Sequence, residues 1–187
     1  MSNPSRSVIL PSAFGAGVWV GLWLPDIDFA LLPILHHRSI ITHSLLIPWL
    51  ASLYLSQKIS VATISGLYAG IAIHLSADVL SPMVGFGMIW LPWPIKVPLG
   101  SASAIWIAAN ALIGIWMALR LSPERKMLIF GFLLLVALAY AVMNENAVMP
   151  FVAFGIFGSI VFWLTQRRSK RVPKENRKRR RNMLERD

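Results

Sequence analysis

The sequence predicts an all-α, polytopic membrane protein: a bundle of about six transmembrane helices with a proline- and tryptophan-rich interfacial loop. Three observations lead there. Of 187 residues, 56% are hydrophobic and only 14% charged, where a soluble domain carries about a quarter charged residues. Six apolar runs reach or approach the roughly 20 residues that cross a bilayer. Charge is segregated as well: from Arg167 onward 11 Lys/Arg stand against 3 acids, while the first 166 residues hold 7 against 5. The chain has no cysteine, which excludes a disulfide scaffold, a thiolate zinc finger and a Cys nucleophile.

The first run, Val8 to Leu24, is short and carries Pro11. It follows Arg6 but lacks an A-x-A cleavage pattern, so it reads as a retained span rather than a signal peptide. The second run is residues 40–56, the third 59–80, the fourth 102–121, the fifth 127–143 and the sixth 147–165. They are too long and too uniformly apolar for barrel strands. Gly17 with Gly21, and Gly66 with Gly70, have the four-residue spacing at which helices in lipid approach closely, so the first and third spans are candidates to pack together. Between the third and fourth runs, residues 81–100 hold Pro82, Pro92, Pro94 and Pro98 with Trp90 and Trp93. Such a stretch cannot be a regular span and suits a loop in the headgroup region, or one folded back as a lid.

This organisation gives a transmembrane domain over residues 1–166, with its motifs in 22–100, and a basic, disordered tail over 167–187. With six spans, 16 Lys/Arg fall on one side of the membrane and two, Arg38 and Lys96, on the other. The positive-inside bias places the tail in the cytoplasm and turns the 25–39 and 81–100 connections outward. The tail reads as an anchor on anionic lipid, at about 1 kcal/mol per basic residue near the surface. It has no interleaved aromatics and no folded motif, so membrane lipid rather than nucleic acid is the expected partner.

The polar residues in the apolar part are concentrated. All four histidines (His36, His37, His43, His74) fall within 39 residues, and Asp26, Asp28 and Asp78 lie in or beside that window. Ionisable groups at or inside a bilayer are costly and are retained where they pair, ligate or act. Asp26 and Asp28 follow the first span in W-L-P-D-I-D. H-H-R-S-I-I-T-H leads into the second, and His74 and Asp78 sit four apart on one face of the third. In an up-down bundle these three helix ends share one membrane side, which brings carboxylates and imidazoles to one level. Imidazole with carboxylate is a ligand set for Zn²⁺ foremost, or Mn²⁺ or Fe²⁺, with room for one ion or two. The bland readings are a helix-capping Asp26 or Asp28, interfacial His36 and His37, and a hydrogen-bonded His74–Asp78 pair.

P-D-I-D, then H-R-x-x-x-T-H-S, then G-x-x-x-H-L-S-A-D with a following S-P and W-x-P-W-P, resembles the membrane-bound metal-dependent hydrolases, catalogued as LexA-binding, inner-membrane-associated hydrolases. The resemblance covers residues 22–100. It implies a bacterial inner-membrane, metal-dependent hydrolase whose polar residues map onto Asp26, Asp28, His37, Arg38, Thr42, His43, His74 and Asp78. Ser39 stands where relatives commonly carry glycine, one extra residue separates His37 from His43, and a further histidine-bearing apolar segment of many relatives is not present here. Nothing in this sequence supports LexA recognition.

The expected metal ligands are Asp28, His37, His43, His74 and Asp78, with His43, His74 and Asp78 foremost. Asp26 is the candidate general base, although either aspartate can complete the shell. Arg38 is the candidate for stabilising charge on a phosphate, because its planar fork suits oxyanions; its alternative is an ion pair with Asp26 or Asp28. Ser39 or Thr42 is expected to cap the second helix. A site at headgroup depth meets lipid or lipid-linked phosphoesters first. Two other readings compete: a metal or small-solute transporter, against which the scarcity of polar residues in the last three spans counts, and a non-catalytic adaptor whose bundle is stapled by metal.

Overall fold

The computed structural model describes residues 4–122 and 126–184. Among these there are six α-helices, two short 3-10 helices and no strand: α1 (Pro4–Trp23), a 3-10 helix (Pro25–Leu31), α2 (Leu46–Tyr54), α3 (Val61–Asp78), a 3-10 turn (Gly85–Gly87), α4 (Ala102–Leu121), α5 (Lys126–Met143) and α6 (Met149–Leu184).

The bundle is built around α3. Ser60 caps its first turn by accepting the Thr63 N–H at 3.0 Å, and 14 of its 18 residues are buried. Against it lies α1, running in the same direction: a Cβ at Gly17 would strike the Thr63 carbonyl, and one at Gly21 would come within 2.6 Å of the Leu67 carbonyl. Gly66 and Gly70 face the α1 backbone in turn. The glycine spacing thus sets a backbone-to-backbone seam, which any side chain would wedge apart. On the other side α4 runs antiparallel, with the Ser65 hydroxyl donating to the Ala118 carbonyl. Helix α6 also packs on α3, and α5 brings Tyr140 to His74.

Because α1 and α3 are parallel, the chain between them must return across the bundle. That return is made with one short helix, α2, rather than with a membrane-length one. Three helices among the described residues are long and apolar enough to cross a membrane: Ala102–Leu121, Lys126–Met143 and Met149–Arg167. A fourth crossing is possible if Pro11–Trp23 and Pro25–Leu31, bent by 47° at their break, form one span. The bend falls where Pro25 has no N–H to continue the helical ladder, although Leu24 itself keeps helical angles.

The second expected span differs most. Its helix is nine residues, Leu46–Tyr54, about 14 Å at 1.5 Å per residue. Side chains stop it from starting earlier. The Leu45 N–H donates to Asn110 Oδ1 at 3.1 Å, and the Leu46 N–H to Ser44 Oγ at 3.1 Å. Both donors are taken from the helical ladder. Neither Ser39 nor Thr42 caps this helix, which begins after Leu45: the Thr42 hydroxyl donates to Asp28, and Ser39 Oγ accepts the Ile41 N–H. At the C-terminus α6 runs to Leu184; Lys, Arg and Glu are themselves good helix formers.

Candidate metal centre

The cluster forms where α1 ends, α3 ends and the segment before α2 begins. Pro25 turns the chain into the 3-10 helix that carries Asp26 and Asp28, and Asp28 points inward, fully buried. Arg38 has φ +54°, a left-handed conformation rare for a non-glycine residue. It reverses the chain so that His37 and Ser39 both address Asp28.

Asp28 accepts four contacts. The Ser39 N–H donates to Oδ2 at 3.1 Å and the Thr42 hydroxyl at 2.9 Å. His37 Nδ1 lies 3.3 Å from Oδ1, and His43 Nδ1 lies 3.3 Å from Oδ2. Asp28 can only accept, and Nε2 makes no hydrogen bond; in the neutral ring with its proton on Nδ1, His43 keeps a lone pair on Nε2. His74 repeats the arrangement with a different partner: its Nδ1 donates to the Leu22 carbonyl at 2.9 Å, with the Tyr140 hydroxyl 3.0 Å from the same nitrogen. Its Nε2 is likewise left with a lone pair.

The two Nε2 atoms converge. His43 Nε2 is 3.2 Å from Asp78 Oδ2, and His74 Nε2 is 3.4 Å from that same oxygen. His74 Nε2 is also 3.8 Å from Asp26 Oδ1. Donor atoms of Asp26, His43 and His74 all lie within 4.8 Å of one another, a group that could hold a metal ion. Ligands around a tetrahedral ion at about 2.0–2.2 Å stand about 3.3–3.6 Å apart, which the Asp78 contacts approach. His43 Nε2 and Asp78 Oδ2 are buried without a hydrogen-bond partner among the described residues. Native structures rarely leave such atoms unpaired, and a cation between them would satisfy both.

Not every expected residue belongs to this centre. Asp28 sits behind His43 and orients it, because its oxygens are consumed by donors from 37 to 43. His37 is held away: its ring stacks on Phe29 at 4.2 Å and on Phe86 at 5.1 Å. Asp26, expected as a base, is grouped with the ligands, and its 31% exposed side chain is the most open member of the cluster. Arg38 pairs with neither Asp26 nor Asp28. Its Nη2 donates to Asp78 Oδ1 at 2.7 Å and its Nη1 to the Gly87 carbonyl at 2.8 Å. His36 stacks on Trp90 at 4.1 Å.

The 81–100 segment folds back over this end. Trp90 exchanges backbone hydrogen bonds with residues 38–40: its N–H donates to the Arg38 carbonyl at 3.0 Å and its carbonyl accepts from Ile40 N–H at 2.9 Å. Ser103 Oγ accepts the buried Ile89 N–H. On α4, Trp106 Nε1 donates to the His43 carbonyl at 3.0 Å. The residue that sequence reasoning missed is Tyr140. It sits in the apolar run of α5, where its aromatic ring blends with its neighbours; a hydroxyl in an otherwise hydrocarbon helix was the available signal.

No family model, curated protein or solved structure matches this chain, so the likeness to metal-dependent hydrolases stands on the motifs alone.

Proposed function

We propose that this protein is a metal-dependent hydrolase of the bacterial inner membrane, acting on a phosphoester or similar bond in a lipid or lipid-linked substrate. One observation carries the reading: two buried imidazoles, each with Nδ1 turned to an acceptor, direct their free Nε2 atoms toward Asp78 Oδ2. His43, His74 and Asp78, with Asp26 at the mouth, would hold Zn²⁺, or Mn²⁺ or Fe²⁺, since the donor set is nitrogen and oxygen with no thiolate. A divalent cation held there supplies Lewis acidity toward a phosphoryl or carbonyl oxygen and activates water near neutral pH. Asp28 fixes the His43 tautomer, as partners of ligating histidines do. The open side chain of Asp26 is suited to take a proton from water at the mouth. Arg38 holds Asp78 in place and, through the Gly87 carbonyl, the overlying segment; its remaining Nε donor has no partner among the described residues.

With the six crossings expected from the sequence, both chain ends fall on one side. The positive-inside bias makes that side cytoplasmic and turns the cluster outward, at the depth of lipid headgroups. Exposed Phe29, Phe86 and Trp93 around the cluster suit that depth. The burial of His43, His74 and Arg38 also favours a second reading, a non-catalytic bundle stapled by metal.

One experiment separates them. Purified protein is assayed for bound metal and for product release from a panel of phospholipid phosphoesters, alongside His43→Ala and Asp78→Ala. Stoichiometric metal and turnover, both lost in the variants, support the hydrolase. Metal without turnover favours the stapled bundle, and metal-free wild type removes both.

A further inference from the structure

Beside the middle of α3, at the level where Gly114 of α4 meets Tyr68 and Ala72, α4 and α6 run side by side and enclose a groove of about 510 Å³. Its walls are apolar, with Leu112, Ile113 and Trp116 on α4 facing Val161 and Leu164 on α6, and Arg167 lines its rim. This volume falls in the range of about 300–1,000 Å³ typical of ligand sites. Both walls belong to helices long and apolar enough to cross a membrane.

One device recurs on each helix, with Arg167 lining the rim and Arg120 one turn beyond the groove-lining Trp116. Arg120 lies over the Trp116 ring, 4.9 Å from its centroid, and Arg167 over the Trp163 ring at 3.4 Å. In each pair the arginine stands four residues after the tryptophan, on the same helical face. Stacking uses the flat face of a guanidinium and leaves its in-plane N–H donors, which match phosphate oxygens two at a time. Among the described residues neither arginine has a carboxylate partner. Tryptophan beside arginine at the end of an apolar helix marks the headgroup level.

We propose that the α4–α6 groove is a binding site for one anionic phospholipid, its phosphate held by Arg120 and Arg167 and an acyl chain lying along Leu112, Ile113, Val161 and Leu164. The site is separate from the histidine cluster and does not depend on what that cluster does. It also differs from surface attraction of the basic tail, because it needs the groove as well as charge.

Native mass spectrometry of the full chain, released from detergent containing equal phosphatidylglycerol and phosphatidylcholine, tests this. The wild type should retain one phosphatidylglycerol with at least tenfold preference. Arg120→Gln/Arg167→Gln should lose the preference, and Leu164→Trp should lose the adduct with all charges intact; melting curves report whether either variant is misfolded, and retained preference in a folded double variant overturns the proposal. Equal retention of the two lipids by wild type also overturns it. So does an adduct that survives Leu164→Trp but disappears with salt, since the tail would then be its source. Binding of a short RNA that is lost in the double variant, with lipid retention unchanged, would overturn it too.

Discussion

His43 Nε2 and Asp78 Oδ2 lie 3.2 Å apart, both shielded from solvent, without forming a hydrogen bond. Leaving a buried polar atom unpaired costs about 1–3 kcal/mol. Binding of a cation between them should therefore register as stability. Adding Zn²⁺ at about 100 times its Kd should stabilise the protein by about 2.7 kcal/mol. A chelator should lower Tm correspondingly, and neither treatment should move Tm in His43→Ala/Asp78→Ala. An unchanged wild-type melting curve across the zinc titration would count against a metal at this position.

Asp28 touches no open space, yet it decides which nitrogen of His43 is free. Asp28→Asn keeps the shape but removes the charge, and its amide must present a donor to the Ser39 N–H, the Thr42 hydroxyl or a histidine. Metal affinity should fall about 10–100-fold, the usual effect of removing the carboxylate behind a ligating histidine. Competition against a chromophoric chelator measures it. Full affinity in Asp28→Asn would mean that the Thr42 hydroxyl, 3.2 Å from His43 Nδ1, fixes the tautomer alone.

How much of this was legible in the sequence differs by residue. The i, i+4 spacing of His74 and Asp78 and the parallel courses of the first and third spans follow from periodicity and alternation. The glycine seam was readable for the same reason. The division of labour between Asp26 and Asp28 was not, because it depends on how far the 3-10 helix after Pro25 turns each carboxylate inward. The short α2 was hidden too: hydropathy cannot see that Asn110, 65 residues away, takes the Leu45 N–H. Tyr140 went unnoticed because its ring is as apolar as its neighbours and only its hydroxyl reaches His74.

The seam between α1 and α3 makes a sharp contrast possible. A Cβ at Gly70 meets the Val18 carbonyl and comes within 2.8 Å of the Leu22 N, whereas one at Gly155 meets nothing within 4 Å. Gly70→Ala should destabilise by about 1–3 kcal/mol, as overpacking does. Gly155→Ala should be neutral or stabilising by up to about 1 kcal/mol through helix propensity. Unfolding in mixed detergent reads both. Because Leu22 supplies the carbonyl that orients His74, Gly70→Ala should also weaken metal binding, while Gly155→Ala should leave it intact.

Among the described residues, Arg38 joins two elements that no other charged side chain connects: it donates to Asp78 on α3 and to the Gly87 carbonyl in the overlying segment. Its left-handed backbone is held by the same contacts, with the Trp90 N–H bonded to its carbonyl. Arg38→Met leaves Asp78 with a buried, uncompensated charge, and breaking such a pair costs about 3–5 kcal/mol. With the Gly87 anchor gone as well, residues 81–100 should open before the bundle does, so limited proteolysis should cut there first. Arg38→Lys keeps the charge but not the fork, and one ammonium cannot reproduce the paired geometry. It should therefore restore much of the stability lost in Arg38→Met while leaving the 81–100 segment more readily cleaved than in wild type. Cleavage at the wild-type rate in both variants would show that the Trp90 and Ser103 hydrogen bonds hold the segment without Arg38.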